Sequence, residues 1–324
     1  MTGIIIVAFN NHLELKNLLL SLKNQNYTEY LLYIVDNSNN DIAQKNLKII
    51  NELFSKEKFV YFKTDNNLGS AEGFYLGMKK AYENQNNKWF WLLDQDMEVT
   101  KETLINMIEF GLLNKINALT SKTYCIKDRE PFPSLIEENI FGKGKIVFTS
   151  KKNFLCPTHG FLINRSILNK IGFYDYTNFY IGFEDYDYCK RIYKIGEKIG
   201  FADNGIVFHP SPKYNYKRIN QIVNNKFRRM ISEVFFPISP VSFFLMNKKN
   251  IENKRVIKAV RSKAYIVGKY NLRINVLYAL IVYLIKIGLL KILKPQKYSP
   301  MISLKETIEG IKKGIKERKE LKFF

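Results

Sequence analysis

Three cysteines in 324 residues, three histidines, no unbroken apolar run of membrane-spanning length and no basic leader are what this sequence most plainly lacks. Cys125, Cys156 and Cys189 stand far apart with no CxxC spacing. A disulfide framework and a cysteine-based zinc site are therefore unsupported, and a reducing cytoplasm is the natural setting. The first residues, MTGIIIVAFN, place no basic region before a short apolar run, so they read as a buried strand and not as an export signal. The longest apolar stretch, 275–293, is interrupted by Lys286 and Lys291 and falls short of a span. It is expected to pack on the rest of the chain or to lie in a bilayer interface with its lysines reaching toward headgroups.

What is present is a chain with 46% apolar residues, enough for one large domain and an appendage. The net charge of +21 is uneven, because residues 241–324 carry 20 Lys/Arg against 5 Asp/Glu. A basic tail suits nucleic acid, acidic phospholipid or solubility, and sign alone does not choose among them.

In the first half, short apolar runs alternate with helical periods. GIIIVAF (3–9) precedes 11–25, where Leu15, Leu18, Leu19 and Leu22 fall on one face. YLLYIVD precedes a helix over about 42–55, KFVYFKT precedes AEGFYLGMKKAYEN, and KWFWLLDQD follows. This alternation predicts a parallel sheet covered on both faces, with ligands beyond the carboxyl ends of its strands. Asp36, Asp65, Asp94 and Asp96 all fall at or just after strand ends. Asp is common in turns, but two carboxylates spaced i, i+2 at a strand end also suit a hard cation such as Mg²⁺ or Mn²⁺ beside a phosphate. Asn67, Gly69 and Gly73 lie between a strand and a helix, where small residues admit a ligand and the helix start favours anions. Further on, GFEDYDYCKRIYKIG sets Glu184, Asp185 and Asp187 in a first helical turn and Lys190, Arg191 and Lys194 near its end, an order that also matches the helix dipole.

Together, IIIVAFN, VDNSNND, NNLGSAEGFYLG, WLLDQD, GFYDYTNFYIGFEDYDYCKR and FHP resemble the family 2 glycosyltransferases, in consistent order over about residues 3–215. More narrowly they resemble the bacterial branch of rhamnosyl and galactofuranosyl transferases. The resemblance implies an α/β GT-A fold, a mixed and mostly parallel sheet flanked by helices, with a nucleotide-diphosphate sugar donor linked to dTDP or UDP, a divalent metal (Mn²⁺ or Mg²⁺) and an inverting single displacement. It implies that Ala8 and Asn10 line the nucleotide, that Asp36 accepts from the pyrimidine, that Asp94 lies near the ribose, and that Asp96 holds the metal. Gln95 and Glu72 depart from the family's usual residues at their positions. The base implied is Asp185, with Glu184 and Asp187 beside it and Asp187 an open alternative. Neighbouring charges are expected to raise the base's pKa. A histidine after the catalytic helix completes the metal site in relatives, which gives His209 that role beside a merely packed one. His159, where relatives have Ser before Gly, is a candidate acceptor or donor contact, Arg191 an acceptor contact, and His12 a local turn or cap.

The expected organisation is a catalytic domain over 1–235, with a nucleotide-sugar half to about 100 and an acceptor half beyond, then a basic helical tail over 236–324. In the tail, 304–322 places Leu304, Ile308, Ile311 and Ile315 on one stripe, suited to anionic lipid or to a partner helix, a second copy included. An acceptor that is a lipid-linked glycan at the inner face of a bacterial membrane would join the tail to the site. A nucleotidyltransferase would want a basic glycine-rich loop near the N-terminus, and a nucleic-acid binder would leave the acidic strand ends unexplained.

Overall fold

The computed structural model describes residues 1–127, 129, 159–210, 254–270 and 300–320. Strand and helix alternate through β1 (Thr2–Ala8), α1 (His12–Lys23), β2 (Tyr30–Asp36), α2 (Asn40–Leu53), β3 (Phe59–Lys63), α3 (Gly69–Glu83) and β4 (Trp89–Asp94). The strands are nearly continuous Ile, Leu, Val and aromatic because both sheet faces are covered. In β1, Ile4 and Ile6 meet Leu15, Leu18 and Leu22 of α1 in one core, while Ile5 meets Phe74 and Met78 of α3 in the other. Asn11 caps α1 by accepting from Glu14 N, so His12 is the first helical residue and not the cap.

After β4 come β5 (Glu98–Val99), α4 (Thr103–Asn114), β6 (Ala118–Cys125), β7 (Phe161–Asn164), α5 (Arg165–Ile171), α6 (Glu184–Lys194) and β8 (Ile199–His209). One sheet of eight strands results, in the order β3-β2-β1-β4-β7-β6-β8-β5. β1 to β4 run parallel to one another, whereas β7 is antiparallel to both β4 and β6. Because β6 and β8 are parallel, both run in the direction of β4. The end of β8, at His209, therefore lies on the same sheet edge as the end of β4, at Asp94. β5 doubles back immediately after Asp96 and pairs antiparallel with the end of β8, Glu98 opposite Phe208. That short strand is the device that brings residue 96 to residue 209.

Two glycines of α3 fix its distance from the sheet. A Cβ at Gly73 would lie 2.7 Å from Val7 Cγ1, and one at Gly77 would collide with Ile5 Cγ2.

By contacts the chain forms two units, one of residues 1–176 and 184–212, the other of 177–183 and 213–324. The expected boundary near 235 lies outside the described residues, as do 275–293 and Cys156. Within the second unit, α7 (Lys254–Lys269) packs on α8 (Pro300–Glu320) through glycines. A Cβ at Gly310 would lie 2.6 Å from Arg261 O. α8 buries Thr307, Gly310 and Gly314, while Ile308 of the expected apolar stripe is exposed. Backbone proximity sets the seam, so the smallest side chains line it. Arg261 closes one flank with ion pairs to Glu306 at 2.6 Å and Glu309 at 2.7 Å. Among the described residues no helix is long and apolar enough to cross a membrane.

Candidate active site

β4 delivers Asp94 and the turn after it delivers Asp96. Gln95 between them locks this turn onto the exit of β1: its Oε1 accepts from Phe9 N at 2.6 Å, and its Nε2 donates to Phe9 O at 2.9 Å and to Glu14 Oε2 at 3.3 Å. A carboxylate could not make the two donations, which gives the departure at this position a physical reason. His209 Nε2 lies 3.4 Å from Asp96 Oδ1. Its Nδ1 is 2.8 Å from Pro210 O, an acceptor only, so Nδ1 carries the proton and Nε2 is presented as a lone pair whenever the ring is neutral.

One ligand atom each from Asp94, Asp96 and His209 falls within 4.8 Å of the others. Burial, then the charge of Asp96, pushes Asp94 up to about 7. Burial also acts to raise Asp96, but the hydrogen bond and charge of His209 outweigh it and hold the group below the usual range. His209 shifts the other way: burial lowers it, Asp96 more than offsets this, and the net change is upward. Two oxygen donors and an imidazole whose other nitrogen is held by a carbonyl fit a divalent cation, which would relieve the conflict between the two carboxylates. The His159 ring stacks on that of His209 with centroids 4.0 Å apart, and burial followed by His209's charge pushes His159 down to about 3. His159 thus stands as a neutral wall beside the cluster. Gly160 (φ 62°) follows it, where a Cβ would lie 2.6 Å from Ser121 Oγ.

The turn after β2 is organised by Asp36. Fully buried, it accepts from Ser38 N at 2.8 Å, Asn46 Nδ2 at 2.7 Å and Tyr61 OH at 2.8 Å. Ser38 Oγ accepts from Asn10 N at 2.8 Å, and Asn10, at φ 49°, accepts from Asn39 N at 2.9 Å. Ala8 is buried and its carbonyl receives Asn37 N at 2.8 Å. Asn37 Nδ2 reaches Gly69 O at 3.0 Å, while Asn67 Oδ1 accepts from Gly69 N at 2.9 Å. Leu68, at the cap position of α3, offers no side-chain bond, so apart from Gly69 N, which Asn67 holds, the first N–H groups of the helix have no side-chain cap and suit an anion. Asp65, by contrast, is exposed.

From the start of α3, Ser70 Oγ donates to Glu184 Oε1 at the start of α6. Glu184 Oε2 is buried without a hydrogen-bond partner among the described residues. Burial, then the charge of Asp185, pushes Glu184 up to about 7. Asp185 is pushed up to about 6 by burial, and its bond from Tyr186 N at 2.7 Å acts against the rise. The direction agrees with expectation, but burial, and not neighbouring charge, is its cause. The charges of Asp94, Glu184 and Asp185 act on one another, so the strand-end acids and the α6 acids form one acidic site. Asp187 and Arg191 have other employment. Asp187 is fully buried in an ion pair with Arg191 at 2.9 Å, and Arg191 also donates to Ile171 O at 2.8 Å and Phe173 O at 2.9 Å, tying α6 to the loop after α5.

Two consecutive left-handed residues, Gly182 (φ 77°) and Phe183 (φ 73°), lead into Glu184. For Phe this conformation costs on the order of 1–3 kcal/mol, the kind of strain that persists where surroundings impose it. Ser70, Glu14 and Gln95 are the members of the site that sequence reasoning missed.

Residues 3–172 match the family described as glycosyl transferase family 2. No curated protein sequence matches the chain. Among solved structures it is similar to S. aureus TarS (TM-score 0.54, 15% identity), covering 83% of this chain and 48% of TarS, so it spans about half of that protein's length. It is similar as well to TarS 1–349 in complex with UDP (TM-score 0.57, 15% identity) and in complex with UDP-GlcNAc (TM-score 0.58, 15% identity), with 99% of this chain and 92% of the other covered in each.

Proposed function

The chain belongs to glycosyl transferase family 2 and has its GT-A fold, and from that premise we propose that it is a metal-dependent, inverting enzyme. It would move a sugar from a dTDP- or UDP-linked donor to a glycan acceptor. The observation that carries the reading is the conjunction of two acidic groups: Asp94, Asp96 and His209 at the sheet's edge with ligand atoms within 4.8 Å, and the raised carboxylates Glu184 and Asp185 at the start of α6, whose charges reach Asp94. Asp96, His209 and Asp94 would hold Mn²⁺ or Mg²⁺, which when bound neutralises the diphosphate that leaves. Asp185 takes the proton of the acceptor hydroxyl as its oxygen bonds to the anomeric carbon and the bond to the diphosphate breaks. Glu184, steadied by Ser70, keeps the start of α6 against the donor loop. Asn10, Asn67, Gly69 and the start of α3 face the nucleotide's polar groups, with Asp36 shaping the turn that holds them.

The rhamnosyl and galactofuranosyl likeness supports dTDP-rhamnose or a UDP-hexose as donor, and TarS, solved with UDP and UDP-GlcNAc, adds the latter to the test. The basic tail supports a lipid-linked acceptor at the inner face of a bacterial membrane, with the protein held peripherally. Thermal stabilisation by UDP, UDP-GlcNAc, dTDP, GDP and CMP, each with Mn²⁺ and with chelator, is the first test. Stabilisation by UDP or dTDP only with metal is expected, and Asp96→Ala should lose it. Asp185→Asn should keep nucleotide stabilisation and lose transfer by roughly 100-fold or more. Normal turnover by that variant would remove Asp185 as the base.

A further inference from the structure

We propose that the α7–α8 helix pair positions the acid-bearing start of α6 from a distance, through residues 177–183, with Tyr265 and Glu317 as positioning residues. The inference deepens the glycosyl-transfer reading and rests on it for the role of Asp185. Residues 177–183 lie within the catalytic part of the sequence, yet by contacts they belong with the helix pair, while Tyr176 before them and Glu184 after them belong with the sheet.

Four successive residues of the segment each meet a side chain of the pair. Thr177 O faces Lys313 Nζ at 3.5 Å. Asn178 Nδ2 donates to Glu317 Oε2 at 3.4 Å. Phe179, 2% exposed, stands edge-on to the Tyr265 ring with centroids 5.4 Å apart. Lys258 Nζ lies 3.8 Å from the centre of the Tyr180 ring. Glu317 is the common point: it also accepts from Tyr265 OH and pairs through Oε1 with the buried Lys269 at 2.7 Å. One carboxylate from the far end of the chain thus joins both helices to the segment.

Two residues beyond Tyr180 the chain enters the left-handed Gly182–Phe183 turn and then Glu184 and Asp185. A bulky residue stays at positive φ where its surroundings over-determine it, and the anchored segment supplies that constraint on the upstream side. Catalytic groups are sensitive to such placement, since a 1 Å displacement can cost roughly 100-fold in rate.

The test uses the full chain with Tyr265→Phe, which keeps the ring and removes only its bond to Glu317, and with Phe179→Ala and Glu317→Gln. Glu317→Gln removes the ion pair with the buried Lys269 and can unfold the pair of helices, so the other two variants decide. Amide hydrogen exchange over 184–190 should accelerate roughly ten-fold or more, with exchange in α1 unchanged. UDP or dTDP affinity with Mn²⁺ should stay within about two-fold, and kcat should fall roughly ten-fold or more with donor KM unchanged. Unaltered exchange at 184–190 in both Tyr265→Phe and Phe179→Ala would overturn the proposal, as would loss of nucleotide affinity in step with kcat. Exchange needs no turnover, so failure of the wild-type chain to bind any nucleotide would count against the functional reading alone.

Discussion

Burial of the two acids at the start of α6 makes activity and stability respond to pH in opposite directions. Asp185, held up at about 6, is protonated at pH 5 and ionised at pH 7.5, so kcat should rise through about pH 6 and level off above it. A flat profile from pH 5 to 8 would argue against Asp185 as the base. For stability, a carboxyl whose pKa is higher folded than unfolded stabilises the fold while protonated; the benefit is complete below the ordinary value of 4.5 and lost as pH rises through about 7. Glu184→Gln should therefore raise Tm at pH 8, reflecting stabilisation on the order of 1 kcal/mol, and change little at pH 4. A lowered Tm at pH 8 would mean that the ionised group is needed by Ser70. At this scale the acids and His209 were legible because each sits in a short local motif. Gln95 and Ser70 were not, since their decisive partners lie 86 and 114 residues away and nothing beside them marks the contact.

Among the elements, alternation of apolar runs and helical periods exposed β1 through β4 and the helices between them, with ends off by up to about two residues. Strand–helix alternation predicts parallel neighbours and is absent beyond α4, so the antiparallel insertion of β7 between β4 and β6, and the turning back of β5 onto β8, could not be read from it. Both follow from long-range pairing. The seam of α8 shows a different limit: apolar periodicity marked Ile308, Ile311 and Ile315, whereas close approach of two backbones selects Thr307, Gly310 and Gly314. Gly77 in α3 was overlooked for the same reason, because helix propensity counts glycine only as a cost. Gly77→Ala trades that small gain for a collision with Ile5, and it should destabilise by about 1–3 kcal/mol in thermal or urea melts. An unchanged melt would mean that α3 can slide on β1 without loss.

For the whole molecule, the charge concentrated in residues 241–324 predicts a salt-sensitive surface interaction. Each Lys or Arg near an anionic leaflet contributes roughly 1 kcal/mol, so several suffice for peripheral attachment. The full chain should bind vesicles containing anionic lipid at low salt and leave them near 1 M salt, where screening shortens to about 3 Å. Binding that ignores salt, or that is equal on neutral vesicles, would replace this reading with apolar insertion; no binding would direct attention to a protein partner or a second copy. The sheet's closing order carries a consequence for biosynthesis. Asp94 and His209 meet only because β8 and β5 pair, and 115 residues separate them in the chain. At about 5–20 residues per second a ribosome takes roughly 6–23 s to travel that interval. During it the nascent polypeptide exposes two acids without their imidazole, so a prematurely terminated product lacking β8 would carry only two of the three candidate metal ligands.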